Sequence, residues 1–361
     1  MPPSTRIPPL LQPYIHLPQN DSLLLLTSTL GASASWLLIR FLCDALSNSP
    51  QDSEEEGHNV VLVSWMREHE FWKQECRKSA GLDLEKLTRE GRFAFVDGLG
   101  GLCCEDIAEQ DAGAESKSPT TGLNTRRATS IPTTRTPQTL SVRGPPGRIV
   151  PARGPPVPIA AAMTTPLVEV AGTNKATQEH TTLKSLNLGD LKSTISRVVS
   201  ALSLKASTPS TTTQRKTLLI LDNPDLFLAL NPTIDHAALT SLILEFHNLP
   251  TVSHILTHVQ SDDPLLSLST PPQPLELEHH NFLVKYAHMS RRILGVRVLD
   301  TGVARDVSGV IRVTEQRTGW LGLGFGDEKE HGQGDEGKEF LYQVKSDGSV
   351  KVFERGAGGE G

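Results

Sequence analysis

The sequence predicts an α/β protein, in which a mostly parallel sheet is flanked by helices and ends in an antiparallel β edge on its C-terminal side. Two observations carry this prediction. Apolar runs of strand length alternate with helical patterns over residues 22–99, which is typical of a parallel sheet covered by helices. Residues 339–355, "EFLYQVKSDGSVKVFER", alternate in polarity around Ser346–Gly348 and predict a closing hairpin.

The first half of the chain contains three predicted strands and the helical segments between them. The strands are continuous apolar or β-branched runs, typical of strands buried on both faces. The first helix has apolar residues at near-helical spacing, and the second helical segment is broken at Gly81. The strands cover 22–27, 59–65 and 92–99, and the helical segments cover 33–47 and 66–91.

The second half continues the alternation after an amphipathic helix. The run "KTLLILDNPDLFLAL" predicts a strand that leads into an acidic turn. The remaining predicted helices are 183–204, 234–247 and 275–293, and the remaining strands before the hairpin are 252–259, "GVRVLDTG" and "GVIRVTEQ".

The chain of 361 residues has a net charge of -6 and four cysteines, without any CxxC pair. This cysteine usage favours reduced thiols in a cytoplasmic or nuclear compartment.

A change in composition divides the domain. Residues 105–182 are rich in Pro, Gly, Ser and Thr and predict a disordered insertion. The other predicted divisions are a tail at 1–20 and the two parts of the folded domain at 21–104 and 183–356.

The predicted insertion is basic. No acidic residue lies between Glu115 and Glu169. Scattered arginines of this kind either tether a polyanion such as RNA or belong to a spacer that happens to be basic. The basic residues are Lys117, Arg126, Arg127, Arg135, Arg143, Arg148 and Arg153.

The stretch "LLLLTSTLGASAS" has the outline of a strand, a phosphate-binding loop and a helix. A phosphate-binding loop reads G-x-x-x-x-G-K-[ST], in which backbone N–H groups and the lysine hold the phosphates. If Gly31 takes the second glycine position, Leu26 replaces the first glycine, Ala32 replaces the lysine and Ser33 supplies the hydroxyl. This pattern indicates either a lost nucleotide site kept as a scaffold or a weak or shared site.

A second motif, "LLILD", ends in Asp222. It resembles the Walker B strand, whose Asp helps to hold Mg²⁺, although the same residue could form an Asx turn before Pro224. The two degenerate motifs occur in the order that a RecA-like core needs. The place of a catalytic Glu after the second strand is taken by Trp65, Met66 and Arg67. We therefore predict no catalytic residue and no bound cofactor.

The chain contains no convincing metal, hydrolase or membrane motif. His254 and His258 share one face of a predicted strand but lie about 13 Å apart at the usual rise per residue. No spacing matches a zinc site and no G-x-S-x-G elbow is present. The apolar run at 23–46 is interrupted by Ser, Thr and Arg, which favours a strand and a helix over a membrane span.

Several runs resemble the Elongator complex protein 6 family of accessory subunits. They are "LLLLTSTLGASASWLLIRFLCDAL", "NVVLVSWMREHEFWKQECRKSAGLDL", "GRFAFVDGL", "TLLILDNPDLFLAL" and "LVKYAHMSRRILGVRVLDTG". The resemblance covers about 22–100 and 183–315, and the run 61–72, "VLVSWMREHEFW", is its most specific part.

The resemblance implies a function that the residues alone do not. Members of that family have a RecA-like fold without working Walker motifs and form a heterohexameric ring with Elongator subunits four and five. The ring docks on the catalytic lobes, binds tRNA and supports modification of wobble uridines. The alternatives are a stand-alone RecA-like ATPase or recombinase-type protein, and a scaffold unrelated to RNA.

Two aromatic residues are candidates for a subunit interface. Phe71 and Trp72 are adjacent in a predicted helix, and adjacent helical positions do not face the same way. One of them is therefore expected to contact a partner, unless a broad core groove accepts both.

Overall fold

The computed structural model describes residues 7–46, 57–101, 181–206, 215–302, 304, 306–316 and 337–355. The predicted insertion at 105–182 lies outside the described residues except for its last two. Thr181 and Thr182 pair with Val96 and Asp97 as a short edge strand.

The described strands form one ten-stranded sheet. Its order is β10-β9-β8-β7-β1-β6-β5-β2-β3-β4. The strands from β7 to β4 in this order are parallel, and the adjacent pairs β7–β8, β8–β9 and β9–β10 are antiparallel. The bounds are β1 Ser22–Ser28, β2 Asn59–Ser64, β3 Phe93–Asp97, β4 Thr181–Thr182, β5 Thr217–Asp222, β6 Val252–Gln260, β7 Arg292–Arg297, β8 Gly309–Glu315, β9 Lys338–Val344 and β10 Val350–Glu354.

Helices cover both faces of this sheet. The described helices are α1 Gln12–Ile15, α2 Ser35–Leu46, α3 His69–Ala80, α4 Leu84–Arg89, α5 Leu188–Ala206, α6 Leu226–Leu230, α7 His236–His247, α8 Asp263–Leu266 and α9 Pro274–Met289. The predicted mostly parallel α/β fold with an antiparallel edge is confirmed.

The period-two geometry of the strands creates two cores. In β1, Leu24 and Leu26 join a cluster with α2, α3 and α4, whereas Leu23 and Leu25 join a second cluster with α5, α7 and α9. Successive side chains of a strand point to opposite faces, so a run of four leucines serves both cores. This explains why the central strands read as continuous apolar sequence.

Three local predictions can be compared with the structure. Gly81 ends α3 in the left-handed conformation, with φ of 61°, and confirms the predicted break. The hairpin is also confirmed, with Gly348 at a φ of 80° in its turn. The helix predicted at 275–293 is wrong at its end, because α9 stops at Met289 and β7 begins at Arg292. From Arg292 onwards the backbone forms β7, which pairs with β1 and β8 and does not continue the helix.

The start of the chain is more ordered than a tail. Leu11 and Ile15 are fully buried, and the Arg292 guanidinium donates hydrogen bonds to the backbone oxygens of Tyr14 and His16. This part of the predicted segment 1–20 therefore packs onto the folded domain. Among the described helices, none is long and apolar enough to cross a bilayer.

His254 gives the fold a specific pH dependence. Burial, and then the nearby His58, lower the pKa of His254 from 6.5 to about 4, against the hydrogen bond to the Pro18 oxygen, which raises it. Because the folded pKa is depressed, its contribution is fully present above pH 6.5 and is lost as the pH falls towards 4. We expect about 2–3 kcal/mol of stability to be lost across this window.

Urea unfolding between pH 7 and pH 4 tests this expectation. Replacing His254 with Gln should flatten the pH dependence, because the variant has no proton to take up at this position. Replacing the exposed His288 with Gln is the matched control. Equal pH profiles for wild type and His254→Gln would contradict the assignment.

Candidate functional site

The candidate site lies where the parallel strands β1, β6, β5 and β2 end. In open α/β sheets, ligands bind outside the carboxyl ends of the strands. Ser28, Asp222 and Ser64 are the last residues of β1, β5 and β2. Both degenerate motifs of the sequence therefore meet at one edge of the sheet.

The loop between β1 and α2 is shorter than the motif alignment predicts. Leu26, placed at the first glycine of the phosphate-binding loop, lies inside β1 and is fully buried. It pairs in register with His258 and Leu294. That assignment of Leu26 is wrong, because the strand continues to Ser28 and only residues 29–34 connect it to α2.

The connecting loop uses its backbone donors internally. The Ala32 N–H donates to the Thr29 oxygen at 2.9 Å, and the Leu30 N–H donates to Asp262 Oδ1 at 2.5 Å. Gly31 adopts a φ of 86°, which permits this tight turn. A carboxylate thus takes a donor that a phosphate-binding loop would offer to its ligand.

The side chains of the loop provide no cation. Ala32, at the lysine position, is buried, and the exposed Ser33 hydroxyl lies 2.9 Å from that of Ser35. A cavity of about 250 Å³ lies beside the loop, and neither Lys nor Arg is among its described lining residues. The described lining is Gly31, Ser33, Ser35, Trp36, Ile39, Glu75, Ser79, Ser308, Tyr342, Val344 and Gly348.

Asp222 lies at the centre of a buried polar network. Its Oδ1 lies 2.8 Å from His258 Nδ1, and its Oδ2 accepts a hydrogen bond from Ser64 Oγ at 2.7 Å. Arg67 Nη1 donates to both oxygens, at 3.3 and 3.2 Å. Asp222 is fully buried. The alternative Asx turn is wrong, because the carboxylate faces these three side chains and not the backbone before Pro224.

The partners of Asp222 hold it ionised. Burial raises the pKa of Asp222, but the hydrogen bond and charge interaction with His258, the charge of Arg67 and the Ser64 hydrogen bond outweigh burial and lower it below 3.8. The carboxylate therefore stays charged at neutral pH. Its charge is matched by a guanidinium where a Walker B Asp would face Mg²⁺.

Arg67 is held in place by residues close to it in the sequence. Its N–H donates to Ser64 Oγ at 3.1 Å, and its guanidinium carbon lies 5.4 Å from the Phe71 ring centre and 5.8 Å from that of Trp72. A cation over aromatic faces is held by the ring quadrupoles. The turn after β2 thus places the Arg67 cation next to the Asp222 carboxylate. Glu68, which follows Arg67 in the sequence, is exposed.

The sequence analysis missed the link between Ser28 and Asp222. His258 Nε2 lies 2.8 Å from Ser28 Oγ, so Ser28, His258 and Asp222 are connected across β1, β6 and β5. This is the connectivity of a serine hydrolase triad. Ser28 is only 2% exposed and His258 is fully buried, so no substrate reaches the hydroxyl and the chain of bonds ties three strands together.

The histidines form no metal cluster in the part of the chain that the structure describes. No group of three or more His, Cys, Asp or Glu side chains there could hold a metal ion. His254 contacts Ser253 and the Pro18 oxygen, and His279 Nε2 lies 3.2 Å from Asp225 Oδ2.

The two aromatic interface candidates differ in burial. Trp72 is fully buried and belongs to the core, so of the two candidates it is the one that faces the core and not a partner. Phe71 is half-buried and meets Trp72 edge to face, with ring centres 5.4 Å apart. Adjacent positions thus divide between the core and its margin, and Phe71 alone remains available to a partner.

The architecture is that of a RecA-like α/β fold. Strand β1, which leads into the degenerate phosphate-binding loop, and strand β5, which ends in Asp222, lie on either side of the parallel strand β6 in the middle of the sheet. Helices pack on both faces of the sheet. No protein-family model and no curated protein matches the chain.

Two solved structures from the archaeon Pyrococcus horikoshii are similar to this chain. One is a KaiC-like protein, with 12% identity, a TM-score of 0.46 and 97% of each chain covered. The other is an uncharacterized protein in complex with an unknown peptide, with 10% identity, a TM-score of 0.51 and coverage of 98% of this chain and 99% of that one. It supports the fold alone.

Proposed function

We propose that the chain is a non-catalytic RecA-like subunit of the Elongator complex. In this proposal it joins Elongator subunits four and five in a heterohexameric ring of the cytoplasm and nucleus. The ring docks on the catalytic lobes, binds tRNA, and supports modification of wobble uridines.

The observation that carries the non-catalytic assignment is the engagement of Asp222. Both of its oxygens are taken by Ser64, Arg67 and His258, so Mg²⁺ would have to displace Arg67. The Leu30 N–H is taken by Asp262. Phosphoryl transfer depends on electrostatic stabilisation of the phosphates, and these contacts weigh against a stand-alone ATPase.

The Elongator part of the proposal rests on the resemblance of residues 61–72. This run contains Ser64 and Arg67, which bind Asp222, and Phe71 and Trp72, which lie under Arg67. The most specific part of the resemblance is therefore the segment whose side chains occupy the Asp222 carboxylate. This agreement supports the same structural role for the segment in this chain and in the family it resembles.

The isolated chain is expected to show only background ATP hydrolysis with Mg²⁺. Ala32→Lys alone should not restore turnover, because Arg67 still neutralises Asp222 and Asp262 still occupies the loop. A phosphate-release assay with an active RecA-type ATPase as positive control measures this. Robust Mg²⁺-dependent turnover by the purified chain would overturn the non-catalytic assignment.

Affinity purification of the tagged full chain, followed by mass spectrometry, tests the complex. We expect Elongator subunits four and five to co-purify in comparable amounts, with the catalytic subunits present in smaller amounts. Their absence from a preparation of folded, expressed protein would contradict the proposal.

A further inference from the structure

The sheet has an open edge at β10. Among the described strands, β10 is the last in the order and pairs with β9 alone. Its side chains alternate along the strand: Val350 and Val352 are half-buried, and Lys351, Phe353 and Glu354 are exposed. The outer backbone groups of such an edge strand are a template for a further strand.

The register of the closing hairpin decides which backbone groups of β10 face outward. The Lys345 N–H donates to the Ser349 oxygen at 2.9 Å, so these residues form a hydrogen-bonded pair. Because hydrogen-bonded and non-hydrogen-bonded pairs alternate in an antiparallel ladder, Lys351 and Phe353 also direct their N–H and C=O groups to β9. No hydrogen bond among the described residues uses the outward-facing groups, which belong to Val350, Val352 and Glu354.

The exposed side chains of β10 select one register for pairing with a second copy. An antiparallel pairing centred on Lys351 would place this lysine opposite itself, and one centred on Phe353 would place Lys351 opposite Arg355. Like charges that lie directly opposite each other destabilise a strand pair. A pairing centred on Val352 instead places Lys351 opposite Phe353 of the second copy, where a cation can lie over the ring.

The same register satisfies the outward backbone groups. Val352 exchanges both N–H···O bonds with Val352 of the second copy, and Val350 does so with Glu354 of the second copy, as hydrogen-bonded antiparallel pairs do. The contact is two-fold, so it uses the open edge of both chains and forms a closed dimer. An exposed lysine normally discourages edge pairing, but in this register each lysine faces a ring.

We propose that two copies of this chain pair through β10, antiparallel about a two-fold axis at Val352, so that the sheet continues from one chain into the other. The strands β9, β8 and β7 separate this edge from β1 in the order of the sheet, so the contact is distinct from the candidate site. The inference goes beyond the proposed function, because it concerns the chain by itself.

Sedimentation velocity of the full chain alone, from about 1 to about 100 µM, tests the dimer. Phe353→Lys places like charges opposite each other, and the swap of Lys351→Phe with Phe353→Lys restores a cation opposite a ring. Val352→Pro removes an outward N–H, which an edge strand tolerates. Leu204→Lys is the matched control for Phe353→Lys, because Leu204 is 77% exposed on α5.

We expect a monomer–dimer equilibrium whose dissociation constant rises at least about tenfold in Phe353→Lys and in Val352→Pro. The swap should return it to within about threefold of wild type, and Leu204→Lys should leave it unchanged. Far-UV circular dichroism checks that each variant is folded. If Val352→Pro does not fold, Phe353→Lys and the swap decide the result, because both change exposed side chains.

Three results would overturn the inference. They are a wild type that stays monomeric over the whole concentration range, a folded Phe353→Lys that dimerises like wild type, and a swap that dimerises no better than Phe353→Lys. Oligomers that grow beyond the dimer with concentration would contradict the closed two-fold contact. The test contains no Elongator subunit, so the proposed function stands or fails separately.

Discussion

Asp222→Ala is expected to lower the free energy of unfolding by about 3–5 kcal/mol. The carboxylate is fully buried and its two oxygens bind Ser64, Arg67 and His258. Removing one partner of a buried charge pair leaves the other charge uncompensated. The Arg67 side chain is 20% exposed, which favours the lower end of this range. Urea unfolding at pH 7, followed by far-UV circular dichroism, measures the loss.

The exposed Asp263 provides the matched control. Asp263→Ala removes a carboxylate of the same type at the same edge of the sheet. It should change the free energy of unfolding by less than about 0.5 kcal/mol. A similar result for Asp222→Ala would show that the buried network contributes little.

The acid dependence of the Asp222 contribution has a definite sign. The folded pKa of Asp222 is lowered below 3.8, so its contribution is present above the unfolded pKa and is lost as the pH falls through the folded one. The difference in stability between wild type and Asp222→Ala should therefore shrink in acid below about pH 4. A difference that grows in acid would contradict the ionised carboxylate.

The strands were predictable because their local sequence carries the signal. Runs such as Val60–Val63 are apolar at every position, and the structure buries alternate residues in two different cores. The end of β1 was not predictable from the motif. The apolar pattern predicts a strand at 22–27, which ends one residue before Ser28, whereas the motif alignment counted back from Gly31 equates Leu26 of this strand with a loop glycine. Pairing with β6 and β7 keeps Leu26 inside the strand. The length of a strand is set by neighbours that are distant in sequence.

The site was also predictable only in part, because its contacts come from residues that are distant in sequence. Asp222 was recognised as an acid at a strand end, but its partners come from β2, the turn after it and β6. His258 was compared with His254 along one strand, whereas its contacts run across strands to Ser28 and Asp222. Polar residues at the ends of apolar runs were the available signal, since parallel strands bring those ends to one edge.

Trp72→Ala is expected to lower the free energy of unfolding by about 3–5 kcal/mol, because it leaves a large cavity in the core. Trp72 is fully buried, and its indole nitrogen has no hydrogen-bond partner among the described residues. The cost therefore comes from packing and from the lost face under Arg67. Trp72→Phe, which keeps an aromatic face, should recover much of the loss.

Phe71→Ala separates the core from the interface in the same helix. Because Phe71 is half-buried at the margin of the core, its truncation should cost about 1 kcal/mol and leave the chain folded. Unfolding of both variants in urea gives the comparison. Binding of the Phe71→Ala protein to the proposed partners, Elongator subunits four and five, shows whether the exposed part of this ring contacts a partner. If Trp72→Ala were no less stable than Phe71→Ala, the assignment of Trp72 to the core and of Phe71 to its margin would be wrong.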